Sequence, residues 1–236
     1  MNVDQPTSDL IQHGEIVSCQ LTPAGSNYTF FAQIQLNGRT GLAVYKPRYG
    51  ESPLWDFPSG TLYKREYAAY LLSEILGWDF IPYTVIRDGP YGIGSVQLFV
   101  EHDPKENYYT LTEDKAAQLR QIACFDLVAN STDRKANHLI VDGDGKLWSI
   151  DHGLTFHADL KIRTVIWDFC GERIPKRHLN TLRGLAKQLQ APEGRLKELL
   201  EILLPEEAAA LEGRVDWVLA EGVYPGQPGR SRRQWR

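Results

Sequence analysis

Cysteines and long apolar runs are scarce in this sequence of 236 residues, and their scarcity excludes several classes of protein. The three cysteines, Cys19, Cys124 and Cys170, are scattered and odd in number, which fits neither a disulfide framework nor a zinc site. No stretch approaches the roughly 18 to 20 uninterrupted apolar residues that a membrane span requires. The N-terminus lacks the basic start and apolar run of a secretory signal, so we expect a cytoplasmic protein without a stable membrane anchor.

Excess charge is also small. The formal net charge is −4, which gives no reason to expect the long footprint of Lys and Arg that nucleic acids require, so we expect no nucleic-acid partner. Hydrophobic residues make up 42% of the chain and charged residues 24%, as in ordinary globular proteins. The length allows one large domain or two small lobes, each with a core.

The first half of the chain favours β-strands with one helix. Asn37-Gly38 is a strong hairpin signal because both residues tolerate positive φ. Apolar residues recur at helical spacing over residues 62–76, and Gly77 ends that helix. The predicted extended segments lie at residues 15–21, 28–36, 41–46, 82–88 and 94–101.

The second half favours helices. A helix over residues 112–129 becomes almost wholly apolar, and a polar loop and a short hairpin follow it. Three more helices are predicted at 175–190, 192–203 and 205–220. We therefore expect an α+β protein whose parts are an N-terminal extension (1–13), a β-rich N-lobe with a hinge (14–101), a helical C-lobe (102–222) and a flexible basic tail (223–236).

Three separated residues could supply the chemistry of phosphoryl transfer, which needs a bound metal-nucleotide, a cation on its phosphates and an acid near the attacking hydroxyl. Asp133 follows the buried helix, and Asp151 follows the hairpin, whose strands can bring the two carboxylates together. Lys46 ends an apolar strand, where its ammonium could reach nucleotide phosphates. Asp126 sits inside the apolar helix, where an unpaired charge is costly, so we predict that it is a structural partner of the loop.

Five ordered stretches resemble the phosphoinositide 3- and 4-kinase superfamily and are most similar to type II phosphatidylinositol 4-kinases and their bacterial relatives. They are GSNYTFFAQI with LAVYKP, REYAAYLLSEILGWDFIPYTVI, IGSVQLFVE, FDLVANSTDR and SIDHGLTF, and they span roughly residues 20–156. The resemblance implies a two-lobed atypical protein-kinase-like fold. Its N-lobe would be an antiparallel β-rich lobe with one helix, and its C-lobe mainly helical.

The resemblance also implies roles for individual residues. Lys46 would contact the α and β phosphates, Glu66 would pair with it, and Asp133 would orient or deprotonate the acceptor hydroxyl. Arg134 completes the predicted catalytic set. The implied nucleotide-binding residues begin with the turn Gly25, Ser26 and Asn27 after Ala24, which would cover the phosphates. They continue with Val44, the hinge residues Gln97, Leu98, Phe99 and Val100, whose backbone groups would bind adenine, and Ile150. Asp151 would bind the metal, with His138 and Asn137 as further candidates.

The chain departs from the family pattern at one metal position. His138 stands where these kinases usually have an asparagine as second metal ligand, and Asn137 lies one residue earlier. An imidazole binds softer ions such as manganese, so we expect activity with Mn²⁺ at least equal to that with Mg²⁺. The alternative is that His138 is a hydrogen-bonded loop residue.

The sequence thus predicts an ATP-dependent kinase that uses Mg²⁺ or Mn²⁺ and transfers the γ-phosphate to an unidentified hydroxyl-bearing acceptor. That acceptor would be a protein Ser/Thr or a small polyol-like molecule. An inositol lipid is less favoured because the acylated cysteine-rich insertion of the type II lipid kinases is missing. Two alternatives stay open: a nucleotide-binding pseudokinase acting as a regulatory module, and nucleotidyl transfer from an inverted ATP. Lys161, Arg163 and Arg173 lie where kinases hold the acceptor, which favours an anionic substrate.

Overall fold

The computed structural model describes residues 4–23 and 25–226, which divide into two compact units. The first unit comprises the described residues of Met1–Tyr70 and Pro82–Val100, and the second those of Leu71–Ile81 and Glu101–Arg236. The fold is α+β, as predicted, with an antiparallel sheet in the first unit and most helices in the second. Ala24 of the predicted phosphate-covering turn and the arginines of the predicted basic tail lie outside the described residues.

A five-stranded antiparallel sheet in the order β1-β2-β3-β5-β4 forms the first unit. Its strands are β1 (Glu15–Leu21), β2 (Phe30–Leu36), β3 (Arg39–Pro47), β4 (Thr84–Gly89) and β5 (Gly92–Leu98). The predicted hairpin is confirmed, because Asn37 and Gly38 join β2 to β3 with φ of 50° and 79°.

Side chains alternate between the two faces of this sheet, as the period of a strand requires. One face carries the buried core residues Ala32 and Ile34 of β2 and Ala43 and Tyr45 of β3. The opposite face carries Phe31, Leu42, Val44 and Lys46, of which Phe31 and Leu42 are exposed. The sheet therefore offers a second, uncovered apolar surface within this unit.

The segment that the sequence suggested to be an extension contains a helix of the first unit. Gln5–His13 forms α1, and the Asp4 side chain accepts a hydrogen bond from the Thr7 N–H at its start, at 3.2 Å. Leu10 and Ile11 of α1 are buried in the same core cluster as the inner face of the sheet. The helix is therefore an integral part of this unit's core.

We expect Ile11→Ala to lower the free energy of unfolding by about 2 to 5 kcal/mol, because Ile11 is fully buried and its loss leaves a cavity. Urea denaturation followed by circular dichroism measures this change. His13→Ala, at an exposed position of the same helix, is the matched control and should change stability by no more than about 0.5 kcal/mol. A similar small effect at both positions would show that α1 is not part of the core.

Helix α2 (Leu62–Ile75) has the predicted bounds to within one residue. The second unit contains the hairpin and the helices that the sequence pattern predicts. They are α3 (Ala116–Ala129), β6 (Leu139–Val141), β7 (Leu147–Ser149), α4 (Lys176–Leu189), α5 (Gly194–Ile202) and α6 (Pro205–Glu221). Helix α6 packs against α3 and α4, and the Arg214 Nε of α6 donates to the Val128 carbonyl near the end of α3 at 2.8 Å. Helix α6 therefore holds the C-terminal end of α3, where the next loop begins.

Across the described part of the chain, no helix combines the length and apolarity needed to cross a membrane.

Candidate active site

In the first unit, Lys46 of β3 forms an ion pair with Glu66 of α2, through Nζ and Oε1. Glu66 is buried, with its carboxylate against Lys46, which is itself only partly exposed. Since a buried carboxylate needs a partner, this pair holds the ammonium in one place. The pair expected from the resemblance is present, and the contact of Lys46 with phosphate stays a prediction.

The uncovered face of the sheet continues from Lys46 as an apolar surface. Phe31 and Val44 lie directly opposite each other on β2 and β3, and the Phe99 ring meets the Phe31 ring edge to face at a centroid distance of 5.5 Å. Exposed aromatic and aliphatic groups of this kind can pack against a planar base. Phe31 and Leu42 were not among the predicted nucleotide-binding residues. Both alternate with core residues along their strands and therefore lie on the same face of the sheet as Lys46.

Residues 97–99 of the predicted hinge already form hydrogen bonds within the first unit. The Leu98 N–H donates to the Tyr83 carbonyl at 2.8 Å, and the Phe99 N–H donates to the Leu42 carbonyl at 3.1 Å. The buried Gln97 side chain donates to the Thr84 hydroxyl at 2.8 Å. We therefore withdraw the N–H groups of Leu98 and Phe99 as donors to adenine and keep the other backbone groups of residues 97–100 as the prediction.

The predicted phosphate-covering turn is attached to the segment after β3. The Asn27 Oδ1 accepts from the Ser52 N–H at 2.7 Å, and the Ser52 hydroxyl donates to the Ser26 carbonyl at 2.5 Å. Gly25 has φ of 105°, in the region that favours glycine. The side-chain oxygen of Asn27 thus has a structural task, and the role of the turn in covering phosphates stays a prediction.

A buried ion pair underlies the loop of the second unit. The Arg134 guanidinium donates to the Asp126 carboxylate from Nε at 3.1 Å and from Nη2 at 2.8 Å, and the two side chains are 0% and 1% exposed. Thr164 also donates to Asp126, at 3.2 Å. Asp126 is therefore the structural partner that the sequence suggested. Because Arg134 is enclosed, we revise its proposed role from catalysis to positioning.

The same arginine reaches both residues that flank Asp151. Its Nη1 donates to the Ile150 carbonyl at 3.0 Å, and its Nη2 donates to the His152 Nδ1 at 3.3 Å. Since Nδ1 accepts, Nε2 carries the proton and faces the Ser149 hydroxyl at 3.2 Å. Burial holds the pKa of His152 well below its ordinary value, and the charge of Arg134 lowers it further. His152 is therefore a neutral bridge between Arg134 and Ser149.

The two candidate carboxylates lie beside this network. Asp133 directly precedes Arg134, and Asp151 directly precedes His152, so the buried contacts fix the backbone next to each of them. Asp151 has φ of 60° and an exposed side chain. The structure thus brings together two loops that lie 18 residues apart in sequence, as the contact between Arg134 and His152 shows. The contacts that hold the two loops are made by Arg134, Ile150 and His152, to which the sequence analysis gave no positioning role. Only Asp126, the buried partner of Arg134, was predicted to have one.

Asp133 itself contacts two cations. Its Oδ1 accepts from the Arg163 Nη2 at 3.1 Å, and its Oδ2 lies 2.7 Å from the Lys135 Nζ. The carboxylate is thereby held in one orientation at the edge of the loop. The sequence had suggested Arg163 only as part of a cationic segment.

His138 lies beside Asp151 and is buried, with its Nε2 3.1 Å from the Asp151 Oδ2. Its Nδ1 accepts from the Lys135 N–H at 3.3 Å, which leaves Nε2 as the N–H that donates to Asp151. Of the two possibilities left open for His138, this geometry favours the hydrogen-bonded residue. Asn137 is exposed in the short 3-10 turn Ala136–His138.

The exposed carboxylate of Asp151 is the metal ligand that the resemblance implies, and this role stays a prediction. Among residues 4–23 and 25–226, no three or more His, Cys, Asp or Glu side chains are grouped as a metal cluster. Magnesium commonly takes one or two carboxylates together with phosphate oxygens and waters. Asp151 fits that pattern, with oxygen ligands and an open approach.

Comparison with known proteins adds to this geometry. The family described as phosphatidylinositol 3- and 4-kinase matches residues 60–204. Protein Rv2133c of Mycobacterium tuberculosis (strain ATCC 25618 / H37Rv) is 35% identical over 264 residues, covering 95% of this chain and 94% of that protein. The crystal structure of a Helicobacter pylori proinflammatory kinase, CtkA, has a TM-score of 0.48 and 12% identity, with coverage of 87% of this chain and 93% of that one.

Proposed function

This chain belongs to the phosphatidylinositol 3- and 4-kinase family, and we propose that it is an ATP-dependent kinase that transfers the γ-phosphate to a hydroxyl acceptor. One observation carries the proposal: the buried contacts of Arg134 with Asp126, Ile150 and His152, which fix the loops that hold Asp133 and Asp151. A preorganised pair of loops with reactive carboxylates is what phosphoryl transfer requires, because catalysis there is mostly positioning and charge stabilisation.

In the first unit, we assign phosphate binding to Lys46, oriented by Glu66. The adenine base would pack on the apolar face that includes Phe31 and Val44, and backbone groups of the hinge would read its edge. Gly25, Ser26 and Asn27 keep their proposed place over the phosphates.

In the second unit, we assign metal binding to Asp151, with Asn137 as a further oxygen donor and Ile150 as a residue near the nucleotide. The ion would neutralise the charge that develops on the phosphates. His138 would orient the Asp151 carboxylate through its N–H rather than coordinate the metal. Asp133 would orient the acceptor hydroxyl and take its proton.

The acceptor stays a protein Ser/Thr or a small polyol-like molecule, with an inositol lipid less favoured. Incubation of the protein with Mg²⁺ or Mn²⁺ and ATP labelled on the γ-phosphate tests the proposal. Consumption of ATP with release or transfer of the γ label is the expected result. Transfer of an α label would instead indicate nucleotidyl transfer, and thermal stabilisation by ATP without turnover would indicate the regulatory module.

The contact between His138 and Asp151 supports the alternative function, a nucleotide-binding pseudokinase that acts as a regulatory module. A histidine in place of a second oxygen ligand removes one metal contact.

The activity of His138→Gln with each metal distinguishes an imidazole that orients Asp151 from one that coordinates the ion. If the imidazole orients Asp151, the variant loses activity with Mg²⁺ and Mn²⁺ by the same factor, about tenfold, and the ratio of the two rates is unchanged. A loss confined to Mn²⁺ would show that the imidazole coordinates the ion, as the sequence suggested.

A further inference from the structure

Two exposed cations hold the carboxylate that we assign to the acceptor hydroxyl. Asp133 is paired with Arg163 at 3.1 Å and with Lys135 at 2.7 Å. We infer that the acceptor carries an anionic group, a phosphate or a carboxylate, which binds Arg163 and Lys135 and releases Asp133 to its hydroxyl. This inference rests on the proposed kinase function and names the chemistry of its acceptor.

Asp133, Lys135 and Arg163 together carry an excess positive charge, which a second anion can neutralise. One carboxylate stands between two cations, so the group as a whole carries a single positive charge. The Asp133 side chain is 19% exposed, whereas those of Lys135 and Arg163 are 58% and 77% exposed. Because ion pairs this exposed contribute little to stability, an incoming anion can compete for them. A planar guanidinium is well suited to bind phosphate or carboxylate through two N–H groups.

The backbone of Arg163 is fixed beside the loop, although its side chain is exposed. Its N–H donates to the Ser131 carbonyl at 2.9 Å, and its carbonyl accepts from the Arg134 N–H at 2.9 Å. The next residue, Thr164, is buried and donates to Asp126. The Arg163 Cα is thus tied to the loop on both sides of Asp133. The fixed backbone keeps the guanidinium within reach of Asp133, with which it pairs at 3.1 Å.

This arrangement couples binding of the acceptor to release of the base. In the transfer, the acceptor oxygen bonds to the γ-phosphorus, and the bond from that phosphorus to the β-phosphate oxygen breaks. ADP leaves with the electron pair, and the hydroxyl proton passes to Asp133. An anionic acceptor takes over the cations and delivers its hydroxyl to the freed carboxylate. A neutral acceptor leaves Asp133 paired, so Arg163 determines specificity.

Matched acceptors test the charge requirement. Transfer from γ-labelled ATP is compared for glycerol, glycerol 3-phosphate, and vesicles of phosphatidylcholine containing phosphatidylglycerol. We expect kcat/KM for one phosphate-bearing acceptor to exceed that for glycerol by at least about tenfold, the effect of a charge-assisted hydrogen bond. Preference for the free or the vesicle form distinguishes a soluble acceptor from a lipid headgroup. Equal kcat/KM for all three would overturn the inference.

Arg163→Ala tests the residue itself. The variant should raise KM for the preferred acceptor at least about tenfold, with KM for ATP within about twofold of the wild type. Arg183→Ala is the matched control, because Arg183 is an exposed arginine of α4 that contacts Asn180. It should leave both KM values unchanged. A phosphate preference that survives in Arg163→Ala would contradict the assignment.

Binding of inorganic phosphate, measured by calorimetry, decides the question without turnover. The Kd should rise at least about fivefold in Arg163→Ala and fall severalfold in Asp133→Asn, because that change removes the internal anion that competes for the cations. Equal Kd values in all variants would overturn the anion site. Absence of ATP turnover with these shifts present would instead reject the kinase proposal and leave the anion site standing.

Discussion

Replacement of Asp133 by Asn is expected to reduce phosphoryl transfer by about 10² to 10⁴, the usual contribution of a group that takes a proton in the transition state. An amide of the same shape cannot accept the hydroxyl proton, yet it preserves the size of the side chain. ATP binding should stay within about twofold, because Asp133 is not among the groups that we assign to the nucleotide or its metal ion. Single-turnover transfer from γ-labelled ATP and ATP binding by calorimetry measure the two effects separately.

The fold should tolerate this change. Asp133 loses two partly exposed ion pairs, each of which contributes about 1 kcal/mol or less. Asp144→Asn is the matched control, since Asp144 is an exposed aspartate in the turn of the hairpin between β6 and β7. That variant should retain wild-type transfer. Wild-type activity in Asp133→Asn would end the assignment of Asp133 as the catalytic base.

The sequence predicts those strands and helices in which apolar residues recur at a regular spacing. Strand β2 alternates apolar and polar residues from Ala32 to Gln35, and that pattern indicates which of its faces is buried. Strand β3 has apolar residues on both faces, so its buried face follows from its pairing with β2. Asp126 was readable as a structural partner because it is the one charged residue in the apolar second half of α3, residues 122–129. Helix α1 was missed because it is short, with nine residues, and only Leu10 and Ile11 are buried in it.

The contacts that define the site could not be predicted in the same way. Arg163 and Asp133 lie 30 residues apart, and their pairing depends on the hydrogen bonds between Arg163 and residues 131 and 134. The resemblance placed Arg134 in the catalytic set beside Asp133, within the stretch FDLVANSTDR. A polar sequence gives no indication of which charged side chain turns inward, since that depends on where the buried carboxylate of Asp126 lies.

Loss of the Arg134 guanidinium is expected to cause the largest loss of stability of any change considered. In Arg134→Met, the buried Asp126 carboxylate keeps only the hydroxyl of Thr164 among the partners described above, so the free energy of unfolding should fall by about 3 to 5 kcal/mol. Arg195→Ala, which breaks an exposed pair with Glu198, should cost about 1 kcal/mol or less. Urea denaturation measures both values.

The double variant Asp126→Leu with Arg134→Met separates stability from positioning. It replaces a buried ion pair with apolar groups, and such replacements are often neutral for stability, so it should regain most of the lost free energy. It should still transfer phosphate poorly, because the Ile150 carbonyl and the His152 Nδ1 lose the donor that fixes the backbone beside Asp151. A stable double variant with wild-type kcat would show that the buried network stabilises the fold and has no part in placing the two aspartates.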